Sequence, residues 1–247
     1  LYDTLSWGRS LGRHSWLSSE QAFHEAPILD KDVFKGFYRF YDGQTDDLEL
    51  TRRVAKSAEM LGATIAEHTE ALSMTHTESG WQILLRQGEK TVSVTTKYVV
   101  NALGPWAHEF FQASKIKPRV TGINNQGTHI LVRDLGLTSG LFLQSPEDSR
   151  IFFVLPWKGY TLIGTTEDNY EGPADECRPE THQIDYLLQR CNRFLSVKLS
   201  REDVIQSFAG MRWLAQDAKS GLSDTSRSHL ITAVSYTHLR AHETLRY

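Results

Sequence analysis

The pattern of apolar and polar positions divides the chain into two regions of different character. Residues 46–113 combine a helical pattern with strand-like runs, whereas residues 128–165 contain short strand-like runs separated by turns. Short runs between turn residues are typical of antiparallel sheet, and a mixed pattern is typical of helices and strands in one layer structure. We therefore expect a mixed fold that combines α/β and α+β parts.

A helix is predicted to begin after Asp46, which stands three residues before Glu49 as in a capping box. Gly62 is expected to end this helix. Residues 37–41 form an aromatic run of strand character before the helix, and residues 63–66 are predicted as a strand after it. The apolar positions at helical spacing are Leu50, Val54, Ala58 and Leu61.

Strands are predicted at residues 81–86 and 92–100, joined by a polar turn at Gly88 and Glu89. The second of them ends in an apolar run, as a strand buried on both faces would. In the antiparallel region, strands are predicted at residues 129–132, 141–144, 151–155 and 160–164.

A second helix is predicted to begin at Pro179 and Glu180, and residues 204–208 are predicted as a further strand. No clean period is present in residues 1–24. The apolar stripe of the second helix is Ile184, Leu187, Leu188, Cys191 and Phe194.

Composition narrows the class of protein. The 247 residues are 40% hydrophobic with a net charge of −3, which indicates a globular chain and gives no support to a non-specific nucleic-acid binder. Two cysteines, Cys177 and Cys191, exclude a disulfide scaffold and favour a reducing compartment. No apolar run is long enough to span a bilayer.

Four segments place small or polar residues directly beside predicted strands, where a ligand could approach the backbone. Each also has a simpler structural explanation: a strand-to-helix connection, a structural histidine, a polar turn or a solvated arginine. The candidates are Ala102, Gly104 and Trp106 in the first segment, Thr128 and His129 in the second, Gly164 and Thr165 in the third, and Arg212 in the fourth, with Arg227 as a weaker addition.

Other kinds of site are excluded. Cys177, His182 and Cys191 lack the paired spacing of a zinc site, so no metal site is predicted. The chain contains no G-x-S-x-G elbow, no Walker loop and no G-x-G-x-x-G fingerprint.

Read together, the segments resemble the FAD-dependent, quinone-linked glycerol-3-phosphate dehydrogenases of the D-amino-acid-oxidase-like superfamily. The resemblance runs in the family's order from about residue 1 to residue 231. The matching segments are residues 37–50, 99–107 (a Val-Asn-Ala-x-Gly-Pro-Trp strand end), 126–132, 151–172 and 184–214, which ends in SFAGMRWL.

The resemblance implies part of an FAD-binding Rossmann-like domain lacking its N-terminal βαβ unit, together with an antiparallel-sheet substrate domain. It implies FAD as cofactor, sn-glycerol 3-phosphate as substrate, a membrane quinone as electron acceptor, a homodimer as one assembly, and a cytoplasmic enzyme held peripherally at the inner membrane. It makes His129 and Arg212 catalytic. It makes Arg212, Arg227 and Thr128 substrate-binding residues. The residues that it makes cofactor-binding are Ala102, Gly104, Trp106, Gly164 and Thr165.

Domain boundaries follow from the same resemblance. Residues 1–45 are expected to be a connecting segment that also contributes to the substrate domain. Residues 46–113 are expected to form a partial FAD-binding domain. Residues 114–234 are expected to form the substrate domain and then return toward the FAD domain. Residues 235–247 resemble translated sequencing-adaptor DNA, so we expect no evolved structure or function there. The chain is thus expected to be an interior fragment that binds FAD poorly or not at all, because the helix that holds the pyrophosphate is missing.

Two departures from the family leave alternatives open. Gln126 stands where the family usually has Lys, which removes a positive charge expected near an anionic substrate, and Trp213 replaces the usual Pro. The alternatives are a related FAD oxidoreductase acting on an amine or 2-hydroxy acid, and a non-catalytic module that keeps only the substrate domain.

Overall fold

The computed structural model of the protein describes residues 11–118, 122–215, 230–232 and 240–242. The chain divides into two units, each made of three segments. Unit 1 comprises Leu1–Asp46, Gln126–Asp168 and Cys177–Gly210, and unit 2 comprises Asp47–Asn125, Asn169–Glu176 and Met211–Tyr247. The assignment of cofactor and substrate domains along the chain remains a prediction.

The described helices and strands follow one another along the chain with short connections. Three single 3₁₀ turns, Gly104–Trp106, Ala174–Glu176 and Arg201–Asp203, lie between them. The elements are β1 (Ser15–Ser18), α1 (Ser19–Glu25), β2 (Gly36–Arg39), α2 (Asp47–Met60), β3 (Thr69–Thr77), β4 (Gly80–Gln87), β5 (Lys90–Thr96), α3 (Ala107–Ala113), β6 (Gly122–Arg133), β7 (Leu141–Gln144), β8 (Ile151–Trp157), β9 (Tyr160–Gly164), β10 (Asp168–Tyr170), α4 (Thr181–Asn192), β11 (Val204–Ala215), β12 (Leu230–Thr232) and β13 (Arg240–His242).

The largest sheet confirms the antiparallel region that the sequence predicts. Its strand order is β10-β6-β9-β8-β7, with β11 also paired to β6. The pairs β6/β9, β8/β9 and β7/β8 are antiparallel. Strands β7 and β9 have the predicted bounds, because short apolar runs between turns leave little choice of where a strand begins and ends.

The core of unit 1 is one buried cluster. It contains the apolar stripe of α4 and residues of the sheet strands. Leu187 and Cys191 of α4 are fully buried, as are Ile130, Val154 and Ile163 of the sheet strands. The predicted helix and its buried stripe are thereby confirmed. A capping box between Glu180 and Gln183 begins the helix, as the Pro-Glu start predicts.

Charged residues hold the outer side of α4 to the turn after β7. Arg190 donates from Nη1 to Oε2 of Glu147 at 2.6 Å, and the Tyr186 hydroxyl donates to Oδ2 of Asp148 at 2.8 Å. Although burial of Asp148 raises the pKa of its carboxyl, hydrogen bonds and the nearby Arg190 charge outweigh this, so that pKa lies below its usual value. The Asp148 carboxylate therefore stays ionised and keeps its hydrogen bond to Tyr186 of α4.

Unit 2 contains the three-stranded antiparallel sheet β3-β4-β5 and a small core. The hairpin turn between β4 and β5 is confirmed, but β5 ends at Thr96, so the predicted strand 92–100 is too long. Residues 63–66 form no strand, and β3 was not predicted. A strand requires a neighbour for its backbone groups, and residues 63–66 and 97–100 have no strand partner among the described residues. The core consists of Met74, Trp81, Phe110 and Phe111.

Helix α2 begins and ends as predicted, with Gly62 in a left-handed conformation at φ +98°. Its apolar stripe is exposed, however. Leu50 is 46% exposed, Val54 62% and Leu61 87%, and none of the helix residues is buried. The helix therefore ends at a left-handed glycine and contributes no residue to a core in the described part of the chain.

The segment 235–247 contains one short strand among its described residues. In the structure, β13 pairs antiparallel with β12, with Ile231 opposite Ala241. The pairing satisfies backbone groups of both strands. The expectation that the segment has no evolved structure or function stays a prediction.

Among the described residues, no helix combines the length and the apolar character needed to cross a membrane.

Candidate active site

His129 lies on β6 directly opposite Gly164 of β9. A Cβ atom on Gly164 would lie 2.2 Å from Cδ2 of the His129 ring, so the imidazole occupies the space that any other residue would fill. The Phe208 ring stacks on His129 with 5.3 Å between centroids and 10° between planes. The imidazole is thus held between a glycine and an aromatic ring, and it remains partly exposed.

Gly164 is the last residue of β9 and Thr165 follows it, at the strand end that the sequence predicts. The peptide bond between them is cis. Gly164 is buried and Thr165 is half-buried, and the Thr165 hydroxyl donates to the carbonyl of Thr166 at 3.0 Å. Their predicted cofactor contact remains a prediction. The described role of Gly164 is to accommodate the His129 ring.

Thr128 has a different environment from the one predicted for a substrate-binding residue. Its side chain is fully buried, and its hydroxyl donates to Oε1 of Gln183 at 2.6 Å. Its backbone N–H donates to Oγ1 of Thr166 at 3.0 Å. In this structure the hydroxyl is therefore engaged in a structural hydrogen bond. The substrate contact expected for Thr128 stays a prediction.

Gln126 is also buried, with 1% of its surface exposed. Its Nε2 donates to the carbonyl of Arg178 at 2.7 Å and to Oε1 of Gln183 at 3.2 Å. Side chains alternate along a strand, so Gln126 and Thr128 project from one face of β6 and His129 from the other. The Gln126 side chain thus projects from the face of β6 opposite His129, and the expected loss of a positive charge near the substrate stays a prediction.

Residues 101–106 of unit 2 combine a buried amide donor with open space beside a glycine. Asn101 is buried, and its Oδ1 accepts from the Leu103 N–H at 3.0 Å. Its Nδ2 has no hydrogen-bond partner among the described residues. Gly104 has a left-handed φ of +53°, with no heavy atom within 4 Å of where its Cβ would lie. Ala102, between them, is exposed.

Trp106 ends the short turn that Gly104 begins, and α3 follows it. Its indole Nε1 donates to Oδ1 of Asp175 at 2.5 Å, while the ring is 44% exposed. Pro105 stands at the start of this turn, where its missing N–H is not needed. The turn is therefore fixed at both ends, the Asn101 Nδ2 atom is buried without a partner among the described residues, and open space lies beside Gly104.

Arg212 lies on β11, where its Nη1 is 3.5 Å from Oδ1 of Asn125. The guanidinium is half-buried, and a planar fork of donors suits a phosphate or carboxylate. The neighbouring Trp213 covers Gly122, whose Cβ would lie 2.3 Å from its indole. The Pro-to-Trp departure thus has a packing partner. Arg227 lies outside the described residues.

Comparison with known proteins gives the class that these features define. The family of FAD-dependent oxidoreductases (DAO) matches residues 2–239, and the chain belongs to that family. The fold agrees: a glycerol-3-phosphate dehydrogenase from Bacillus halodurans complexed with FAD superposes with a TM-score of 0.78 at 23% identity, covering 92% of this chain and 47% of that one.

Two curated relatives have higher sequence identity to this chain than that solved structure has. A D-erythritol 1-phosphate dehydrogenase from Brucella abortus is 33% identical over 93% of this chain and 46% of its own length. A glycerol-3-phosphate dehydrogenase from Synechocystis is 29% identical over 94% of this chain and 45% of its own length. The chain therefore spans about half the length of the curated relatives it matches.

Residues 101–106 fit a cofactor such as FAD, which is rich in acceptor oxygens. The unpaired Asn101 amide is a donor, and Gly104 leaves room for close approach to the backbone. Sequence reasoning selected Gly104 but missed Asn101, although the residue is part of the same motif. It also missed Gln183, whose partners are far away in the sequence.

Proposed function

We propose that this chain is part of an FAD-dependent dehydrogenase that oxidises the secondary hydroxyl of a polyol monophosphate, with sn-glycerol 3-phosphate as the leading substrate. The observation that carries the proposal is the His129 imidazole, held between Gly164 and Phe208 and partly exposed. Membership in the FAD-dependent family supplies the reaction type. Two relatives named for phosphorylated polyols support the substrate class.

His129 would act as the general base for the substrate hydroxyl. An imidazole can accept a proton near neutral pH, and one packed against a ring and a glycine has few orientations to lose on binding. The flavin, when bound, supplies the chemistry of hydride acceptance. His129 therefore needs only to hold and remove the hydroxyl proton.

Arg212 would bind the phosphate of the substrate. Two parallel N–H donors match two phosphate oxygens, and such charge-assisted pairs are stronger than neutral ones. Arg227 is proposed as a second phosphate ligand on the resemblance alone. Asn101 and Gly104 would hold acceptor oxygens of the cofactor, with Ala102 and Trp106 beside them. A membrane quinone as the electron acceptor and peripheral attachment at the inner membrane complete the proposal.

A second candidate substrate is D-erythritol 1-phosphate, which has the same phosphate and hydroxyl chemistry with one more carbon. The Brucella abortus relative at 33% identity favours it. The alternative of an amine or 2-hydroxy acid rests on Gln126, whose side chain is buried in unit 1 on the face opposite His129, and the experiment below includes both substrate classes.

The test is anaerobic bleaching of the flavin absorbance in the product of the full gene. We expect sn-glycerol 3-phosphate or D-erythritol 1-phosphate to bleach the flavin, and glycine, lactate and unphosphorylated glycerol to leave it oxidised. Replacing Arg212 with Met should raise the substrate concentration for half-maximal bleaching by about 10- to 100-fold, since a charge-assisted pair contributes roughly 1.5–3 kcal/mol. Bleaching by glycine or lactate alone would contradict the proposal.

A further inference from the structure

We propose that Gln183 is a positioning residue for His129, acting through Thr128. Gln183 lies in the first turn of α4 and does not itself touch the face of β6 from which His129 projects. The catalytic role of His129 in this inference rests on the proposed function. The placement of the ring by Gln183 can be measured without flavin or substrate.

The Gln183 amide is buried and fully engaged on its oxygen side. With 2% of its surface exposed, its Oε1 accepts from the Thr128 hydroxyl at 2.6 Å, the Glu180 N–H at 3.0 Å and Nε2 of Gln126 at 3.2 Å. Its Nε2 donates to Oδ2 of Asp168 at 2.8 Å. Three donors face one end of the amide and a carboxylate faces the other, so only one amide orientation satisfies all four.

This arrangement fixes Thr128 from two directions. The side chain is bound to Gln183, while the backbone N–H donates to the Thr166 hydroxyl and the backbone carbonyl accepts from the Thr166 N–H at 3.3 Å. With the hydroxyl, the N–H and the carbonyl all held, the peptide that leads into His129 has a defined orientation. Buried networks of this kind specify one arrangement when every member is satisfied.

The orientation of that peptide determines where the His129 ring lies. Successive side chains along a strand point to opposite faces. A rotation of the β6 backbone at Thr128 therefore also changes the direction of the His129 side chain. The ring has little tolerance for such movement, because it lies against Gly164 on one side and stacks on Phe208. Loss of Gln183 should therefore be detected as loss of the stacking.

The chemistry of the network explains why an amide is required. A carboxylate at position 183 could accept from Thr128 but would face the Asp168 carboxylate, and like charges at that distance repel. An apolar side chain would leave the buried Thr128 hydroxyl without its acceptor. Exchanging the two groups, in the double variant Gln183→Glu with Asp168→Asn, reverses the donor and acceptor between them while keeping one negative charge.

The primary experiment uses NMR on the full chain. The readout is the upfield shift that the Phe208 ring imposes on the His129 ring protons, assigned by their disappearance in a His129→Asn variant. We expect Gln183→Met to remove most of this shift. The matched control is Gln189→Met, which alters an exposed glutamine of the same helix and should leave the shift unchanged.

Rescue separates positioning from general damage to the fold. Gln183→Glu should lose the shift, and the double variant with Asp168→Asn should recover it. Thr128→Val, which removes only the hydroxyl, should also lose it. If Gln183→Met fails to fold, these variants decide the question in its place. An unchanged shift in Thr128→Val, or no recovery in the double variant, would overturn the proposal.

Kinetics on the product of the full gene then relate position to function. We expect Gln183→Glu to lower kcat by about tenfold while KM stays within about twofold, since misplacing a reacting group slows the chemical step. The double variant should restore kcat. If flavin bleaching fails with every phosphorylated polyol, the proposed function fails, but the NMR result still decides whether Gln183 positions His129.

Discussion

The two units differ in what holds their elements together. In unit 1, α4 and the sheet strands contribute to one buried cluster, and the polar side chains Gln126, Thr128 and Gln183 are buried in one hydrogen-bonded network. In unit 2, the buried cluster consists of Met74, Trp81, Phe110 and Phe111, and helix α2 buries no residue. The same chain thus contains a region defined by tertiary packing and one defined mostly by local structure.

The difference teaches where the candidate chemistry can be precise. A side chain is held to a fraction of an ångström only when its neighbours are themselves locked by packing and hydrogen bonds. His129 has such support from Gly164, Phe208 and Thr128. In unit 2, Asn101 and Gly104 lie in one local motif, with the Asn101 amide nitrogen buried and open space beside Gly104.

The largest expected effect comes from comparing the buried helix face of α4 with the exposed face of α2. Leu187→Ala removes a fully buried side chain of α4, whereas Leu50→Ala trims an exposed one of α2. We expect the first to lower the free energy of unfolding by about 2–5 kcal/mol and the second by less than about 0.5 kcal/mol. Urea unfolding of both variants beside the parent chain measures the difference. Equal losses would show that α2 is as well packed as α4.

A smaller effect is expected from glycines with different surroundings. Gly164→Ala would place a Cβ against the His129 ring, costing about 1–3 kcal/mol and displacing the imidazole. Gly104→Ala meets no atom and should cost only the roughly 1–2 kcal/mol of a left-handed alanine, leaving the His129 NMR signals in place.

Gly43→Ala serves as the control for both changes, because nothing lies near its Cβ position and its φ is unrestricted. We expect its unfolding curve to match the parent chain. If Gly164→Ala also matched the parent and kept the His129 signals, the close packing described for unit 1 would be wrong.

The smallest effect concerns pH and the surface of unit 1. The hydrogen bond from Arg201 lowers the pKa of Asp185 below its usual value of 3.8. The stabilisation from the ionised carboxylate is therefore present above about pH 4 and is lost as the pH falls through the lowered pKa. We expect Asp185→Asn to reduce the acid-induced fall in Tm of the parent chain between pH 5 and pH 2, as followed by circular dichroism.

Glu70→Gln provides a comparison from unit 2, where Glu70 pairs with Arg86 across exposed strands. Exposed pairs contribute little on average, so this variant should track the parent chain closely. A larger change from Glu70→Gln than from Asp185→Asn would reverse the expected order of the two units.

The sequence could predict elements whose signals are local. Strands β7 and β9 were located to the residue because turns bound them on both sides, and α2 was located because Asp46 and Gly62 mark its ends. Residues 63–66 have strand character but no strand partner among the described residues, and a strand cannot form without one.

Site prediction had the same limit. His129, Gly164 and Gly104 lie in compact motifs, so sequence reasoning could select them. Gln183 could not be selected, because its partners Thr128 and Asp168 lie 55 and 15 residues away and a polar residue in a first helical turn is ordinary. The face of β6 on which Gln126 lies was also not considered, although strand alternation relative to His129 could have given it.

The central claim is that His129 is the base, and single-turnover reduction of the flavin tests it most directly. The product of the full gene is mixed anaerobically with sn-glycerol 3-phosphate, as the parent, as His129→Asn and as His24→Asn, which alters an exposed histidine of α1. We predict that His129→Asn retains its flavin and reduces it about 10²- to 10⁴-fold more slowly, while His24→Asn matches the parent. A His129→Asn rate within roughly threefold of the parent would contradict the account, since general base catalysis of this kind contributes far more.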